Sequence, residues 1–436
     1  MRRLFVVLLA LGLIAALSTP AFAADIKVSG EYFVAGYWES NRAMKSSDET
    51  AQRYYGQRLR VEPVIQVADG LSLATRFEAL ERVWGQDPIG SSPTATNSRN
   101  TAEEQNISWR RAYLSAKVLG GTLDVGYMGG GRTGTVFMNY DADVARIKYT
   151  YITGPWQIQV LTEKAGEYSL TTSTSDSDKD KYSVTPVYKW SAGEVGTQLQ
   201  WYRYNDKEGA ATPYRANYYL LCPWFKATIG PVYVEGEVNY YWGKAYDYLN
   251  PATQDKDYDS LNYYLMARYT AGPVYLGAQI ATVAGNDPSK SDKVGAASAP
   301  SGTIDYQPTL VLFNDWTNRW TGQSLGTTTG TYGSISSPYY VSNANLYQVF
   351  AGFKPMLKLD LSASFTVAKA DQKPSGYVSD SYGNEFDIKA AYKIYDNLEY
   401  CLAFGYLWTG DYFKGTSSTN TVGNDWLLMH KLTLNF

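Results

Sequence analysis

The chain has 436 residues, with 39 Tyr, 12 Trp and 38 Gly against two Cys and one His, His430. That scarcity argues against a zinc site, an iron–sulfur or haem attachment motif and any ordinary Cys–His or Ser–His catalytic pair, so no cofactor and no enzyme is expected. Lys+Arg number 39 against 42 Asp+Glu, a mildly acidic balance with no basic excess for nucleic acid. Beyond the first two dozen residues no apolar run reaches the ~18–20 residues of a membrane helix.

In chain order, Met1-Arg2-Arg3, an apolar stretch from Leu4 to Leu17 and the small-x-small ending Ala21-Phe22-Ala23 predict a secretory signal peptide over 1–23, cleaved before Ala24. Residues 24–436 then read as one domain. A first strand is expected from about Asp25 to Ser40. Leu59, Val61, Pro63, Ile65 and Val67 share one parity and oppose Arg58, Arg60, Glu62 and Gln66, the period-2 pattern of a strand with one apolar and one wet face. Leu71, Leu73, Thr75 and Phe77 repeat it against Ser72, Arg76 and Glu78. Near the end, Leu357, Leu359, Leu361, Ala363, Phe365 and Val367 oppose Lys358, Asp360, Ser362, Ser364 and Thr366.

Tight-turn chemistry recurs at Ala68-Asp69-Gly70, Gly120-Gly121, Thr153-Gly154-Pro155, Ser191-Ala192-Gly193, Gly230-Pro231, Gly272-Pro273, Lys354-Pro355 and Asp396-Asn397. Between these turns lie longer polar loops, roughly 41–52, 85–105, 129–140, 166–180, 205–213, 247–258, 371–384 and 413–424. One is exceptional, running over about 286–344. Eight hairpins plus one strand at each end, the last over about Trp426 to Phe436, give about 18 antiparallel strands, with 16 as the alternative.

Such strands, about 10–14 residues long, exceed those of soluble sandwiches and suit a tilted bilayer crossing. Lipid demands that every backbone polar group be paired internally, so spanning strands must close on themselves. The all-β fold expected is therefore a transmembrane antiparallel β-barrel, with short periplasmic turns, long extracellular loops and no packed core. Trp38, Trp84, Trp242, Trp408 and Trp426 fall at the long-loop ends, and Trp156, Trp190 and Trp224 near tight turns, as two interfacial girdles would require. Tyr149, Tyr151, Tyr240 and Tyr263 take the lipid-facing parity. Tyr202, Tyr204, Tyr233 and Tyr264 take the lumenal one.

In the last strand Leu428, His430, Leu432, Leu434 and Phe436 share one parity, and the sequence stops at Phe436. This resembles the C-terminal signature of Gram-negative outer-membrane porins, although Leu434 stands where an aromatic is frequent and His430 interrupts the apolar face. The resemblance implies recognition of Phe436 by the barrel-assembly machinery, outer-membrane lipid around the barrel, homotrimers, and passive diffusion of small hydrophilic solutes or ions. A structural barrel housing a partner such as an electron-transfer cytochrome is the alternative.

On the wet parity, Arg58, Arg60, Arg76, Arg111, Arg146 and Lys148 point inward from one side, with Asp124 and Glu163 among them. Glu235 and Glu237 point inward from across the lumen. This predicts a transverse field and a mild anion preference; local pairing, such as Arg60 with Glu62 or Arg76 with Glu78, is the competing reading. Gly129-Gly130-Gly131-Arg132-Thr133-Gly134 lies in the third long loop, which porins of this class often fold inward, so the resemblance places Arg132 near a constriction. No Lys-Ser/Thr follows the glycines, which rules against a phosphate cradle. Within 286–344 the apolar run from Leu310 to Trp316 and on to Trp320 is expected to fold onto something: the inside of the mouth, a surface cap or a subunit contact. Cys222 and Cys401 are expected to be free thiols.

Overall fold

A computed structural model describes residues 25–46, 51–85, 107–137, 142–170, 177–296, 305–314, 324–327, 330–335 and 341–436. The signal-peptide residues, most of the 85–105 loop and Trp316–Trp320 lie outside the described residues. Eighteen strands make the wall: β1 Asp25–Glu39, β2 Gln52–Ala68, β3 Leu71–Val83, β4 Ile107–Val118, β5 Gly121–Gly129 and β6 Asp143–Thr153. They continue as β7 Trp156–Gly166, β8 Lys179–Trp190, β9 Gly193–Tyr204, β10 Tyr214–Ile229, β11 Val232–Tyr248 and β12 Lys256–Ala271. The last six are β13 Val274–Val283, β14 Ala344–Met356, β15 Leu359–Lys369, β16 Ser381–Tyr395, β17 Leu398–Thr409 and β18 Asp425–Asn435.

Each strand pairs antiparallel with its sequence neighbours. The sheet then closes on itself: β1 pairs with β18 from Glu31 opposite Asn435 to Glu39 opposite Leu427. Closure leaves no sheet edge, which is what allows a strand wall to stand in lipid. At the seam the backbones of Gly30 and Phe436 exchange two hydrogen bonds, 2.8 and 3.1 Å.

The turns follow from local chemistry. Leu119 and Gly120 both have positive φ, 49° and 77°, and join β4 to β5 as a two-residue turn whose twist matches the strands. At Gly154-Pro155, Gly230-Pro231 and Gly272-Pro273 a glycine with φ of 53–60° precedes a proline whose ring fixes φ near −65°. The turn expected at Lys354-Pro355 lies three residues later, at Leu357-Lys358. β14 runs on to Met356 through a register irregularity, because Pro355 has no N–H to offer the ladder.

Outward residues form an exposed apolar belt: Leu361, Phe365 and Val367 on β15, Phe386 and Ile388 on β16, Leu261 and Leu265 on β12. Trp38, Trp84, Trp156, Trp190 and Trp408 are exposed at strand ends, as is Tyr151 near the end of β6, whereas Tyr240 and Tyr263 are exposed on the outward face near the middle of β11 and β12 and not at their ends. Trp224 departs from the expected girdle. It is 3% exposed, takes the inward parity of β10 and lies over Gly196 of β9, where a Cβ would strike its ring.

The inside is not uniformly wet. On the β14–β18 and β1 side, inward Leu346, Tyr382, Leu407, Leu427 and Phe33 are buried in one apolar cluster with Val311, Leu312, Phe313, Leu325 and Ile335 of the long loop between β13 and β14. A packed core therefore does occupy part of the mouth. It exists because the inward apolar residues of these strands face the chain's own loop instead of water.

Candidate functional site

The basic wall arises from strand parity and register. Arg58 Nη2 donates to Glu31 Oε1 at 2.9 Å, and Arg60 pairs with Glu78, the residue directly opposite it on β3. Arg76 reaches back to Glu62 at 2.7 Å. The local pairs Arg60–Glu62 and Arg76–Glu78 are thus exchanged for cross-strand ones, since i and i+2 on one strand stand farther apart than residues facing each other across the ladder. Lys148 pairs with Asp124 at 3.2 Å, and Arg146 and Lys181 converge on Glu163 at 2.7 and 2.8 Å.

β4 contributes more than parity alone predicts. A register shift between Arg76 and Phe77 opposite β4 lets both Arg110 and Arg111 reach Asp143, Arg110 at 3.2 Å. The Arg110 side chain remains 45% exposed. Two consecutive arginines across a bulge were the available signal, and strict alternation hides one of them.

Glu235 and Glu237 do project inward from β11, and both are buried. Tyr233 and Tyr264 donate their hydroxyls to Glu235 at 2.8 and 2.9 Å. Glu237 Oε2 accepts from the backbone N–H and the hydroxyl of Thr135 at 2.7 and 2.9 Å, and its Oε1 accepts from Asn239 at 2.8 Å. These acids are therefore occupied by hydroxyls, amides and a loop.

Thr135 belongs to the third long loop, between β5 and β6, which folds inward. So does the 305–314 segment of the long loop. Its Leu310, Val311 and Leu312 N–H groups donate to Glu385 of β16 at 2.7, 2.6 and 2.9 Å, and Gln348 of β14 donates to Pro308 O at 2.6 Å. The two loops meet inside the barrel. The Phe137 ring lies parallel to Tyr264 at 5.4 Å and edge-on to Tyr306 at 5.5 Å. Arg132 Nε stands 3.5 Å from Asp305 Oδ2 with its side chain 73% exposed. Of the open choices for Leu310–Phe313, the inside of the mouth is the one realised.

Glu385, Asp387, Asp305 and Tyr306 went unnoticed in the sequence. The first two carried a signal: they alternate with Phe386 and Ile388 on β16, so their inward parity was readable. Tyr202, expected to meet solute, is 1% exposed and stacks on Tyr218 at 4.4 Å instead. Tyr306, outside the membrane-spanning strands, has its hydroxyl pushed well above the ordinary phenol range by burial. His430 points outward, over Gly36 and edge-on to Tyr55 at 5.6 Å. Cys222 and Cys401 are free and buried. Phe436 packs its ring over Gly30 across the seam.

No protein-family model and no curated protein sequence matches this chain. Solved structures do share its fold. OccK9 (OpdG) of Pseudomonas aeruginosa is 13% identical, with 94% of this chain and 99% of that one covered and a TM-score of 0.52. OccK8 (OprE) of the same organism is 13% identical over 94% and 98%, with a TM-score of 0.51. OpdK, solved with vanillate, is 11% identical over 94% and 99%, with a TM-score of 0.50. The chain has the 18-stranded antiparallel barrel of these proteins.

Proposed function

We propose that this chain is an outer-membrane porin, a passive diffusion channel for small hydrophilic solutes or ions with a mild preference for anions. A barrel of this strand number is wide enough for an aqueous path, and its exposed apolar belt suits lipid on the outside. The carrying observation is the asymmetry of charge around the two inward loops. Glu235, Glu237, Glu385 and Asp387 are buried against wall or loop, whereas Arg132 and Arg110 keep much of their side chains exposed. With the long loop packed against the β14–β18 side, the remaining path runs along the arginine-bearing wall of β2–β8, where Arg58, Arg60, Arg76, Arg111, Arg146 and Lys148 stand in paired clusters.

A sleeve around a partner protein needs a lumen clear of the chain's own loops, and here residues 130–137 and 305–314 stand in it. No hydrolase activity is expected, since the single histidine lies on the outward face. Planar-bilayer recording tests the reading. Discrete conductance steps, with a reversal potential in a KCl gradient displaced toward the chloride value, are expected; cation-selective currents would reject the anion preference, and an absence of steps would reject the channel.

A further inference from the structure

Two carboxylates on different walls do the same thing to two different loops. Glu237 on β11 and Glu385 on β16 are both buried, and among the described residues neither is paired with a Lys or Arg. Each instead collects loop donors: Glu237 takes the N–H and hydroxyl of Thr135, and Glu385 takes three consecutive N–H groups from Leu310 to Leu312. Backbone N–H groups gathered by one carboxyl acceptor fix the path of the chain itself, which an ion pair between long side chains does not.

The fit at Glu237 is close enough to dictate sequence. Gly134 has φ +76°, and a Cβ there would meet Glu237 Oε2 at 2.5 Å. Only glycine allows loop and carboxylate to approach in this way. Neither side chain is part of the barrel's ladder hydrogen bonds: Glu237 gives Oε2 to the loop and Oε1 to Asn239 of its own strand, while Glu385 gives both oxygens to the loop.

Resting on the channel reading, we propose that Glu237 and Glu385 are positioning residues that set the aperture, holding the two loops as a clasp closed by Phe137, Tyr306 and Tyr264. The Arg132–Asp305 contact, exposed on the arginine side, is its weak link. Solute touches the loops and not these two acids; they act through where the loops stand.

The test compares wild type with Glu385→Ala, Glu237→Ala and Glu385→Gln, each checked for folding by heat-modifiable migration on a gel. Single-channel conductance of the alanine variants is expected to rise roughly two-fold or more, and the reversal potential to move toward zero, because the constriction governs both. Glu385→Gln is expected to give a smaller rise than Glu385→Ala, since its amide oxygen can still accept from Leu310 and Val311 while only the Leu312 N–H is left facing an NH2 donor. Folded alanine variants with wild-type conductance and reversal potential overturn the proposal. If an alanine variant does not fold, Gly134→Ala breaks the Glu237 contact from the loop side and is expected to give the same rise; no change overturns the clasp there. Thiol labelling separates this proposal from the channel reading. A Thr309→Cys side chain, buried in the wild-type arrangement, is expected to label slowly, and rapidly once Glu385→Ala is added. Equal rates reject the clasp whether or not the barrel conducts, while a silent barrel with the expected difference rejects only the channel.

Discussion

Arg146 carries three contacts on one guanidinium. Its Nε donates to Glu163, while Nη1 donates to Met128 O and to Ala142 O at 2.6 Å, at the two ends of the third long loop. Breaking a buried charged pair from one side costs about 3–5 kcal/mol. Lys181 remains beside Glu163 to hold that carboxylate, so Arg146→Ala is expected to cost about 3 kcal/mol, the lower end of that range. Urea unfolding followed by tryptophan fluorescence measures it. Arg146→Lys should recover part of the loss, since it keeps the charge but not the fork that holds Glu163 through Nε and the two carbonyls through Nη1. Asp178, in the loop before β8, offers the pH counterpart. The Lys164 ammonium at 2.7 Å, then the Tyr168 N–H and the Ser169 hydroxyl, hold its carboxyl well below the usual range. A depressed carboxylate contributes its stability above the ordinary value near ~3.9 and loses it only as pH falls through the lower folded value. The protection of the Tyr168 N–H against hydrogen exchange, relative to an unstructured amide at the same pH, is therefore expected to be unchanged between neutral pH and pH ~5 and to fall only in stronger acid. Asp178→Asn should show the lower protection already at neutral pH.

Among the elements, the closing pair β1–β18 uses a device that recurs around the wall, as at Gly196 under Trp224 and Gly277 under Phe350, at the place where the sheet closes. Two glycines of β1 lie under aromatic rings from other strands: Phe436 covers Gly30, and His430 with Tyr55 covers Gly36. A ring over a glycine fills the space the missing side chain leaves and shields the backbone hydrogen bonds that join the chain's two ends. This gives Phe436 a packing role in the finished barrel. A Cβ at Gly30 would also run into the Arg60 carbonyl of β2, so the site has no slack on either side. Gly30→Val is expected to displace the Phe436 ring and weaken closure, read as a lower temperature for loss of the compact band in heat-modifiable electrophoresis. A valine at an exposed turn such as Gly154, where a Cβ meets nothing within 4 Å, should leave closure intact apart from its local φ strain.

At the scale of the whole molecule, what was legible in the sequence was what is locally encoded. Seven of the eight hairpin turns followed from Gly, Pro, Asp and Asn chemistry, and inward or outward parity followed from alternation, because neither depends on distant residues. What failed depends on register or on the far wall. Arg60 faces Glu78 and not Glu62 because of how β2 and β3 align, and Arg110 joins Arg111 only through a bulge. Leu310–Phe313 read as apolar in an otherwise polar loop, but its partner Glu385 lies some seventy residues on, so no local pattern could fix where it packs. Arg132 shows what such long-range placement does to function. Its charge reaches the lumen from the third loop, beside Asp305 of another loop, so its effect belongs to the assembled constriction and to neither segment alone. Arg132→Glu would set two carboxylates ~4 Å apart in a partly hydrated site, a repulsion of order 1–4 kcal/mol, and would replace the exposed cation with an anion. The loops should separate and the sign of selectivity should turn, giving larger conductance with a reversal potential on the cation side. Arg132→Gln removes the cation without the repulsion, so selectivity should fall toward zero with little change in conductance. A common shift in both quantities for the two variants would mean that Arg132 acts by filling space, not by charge.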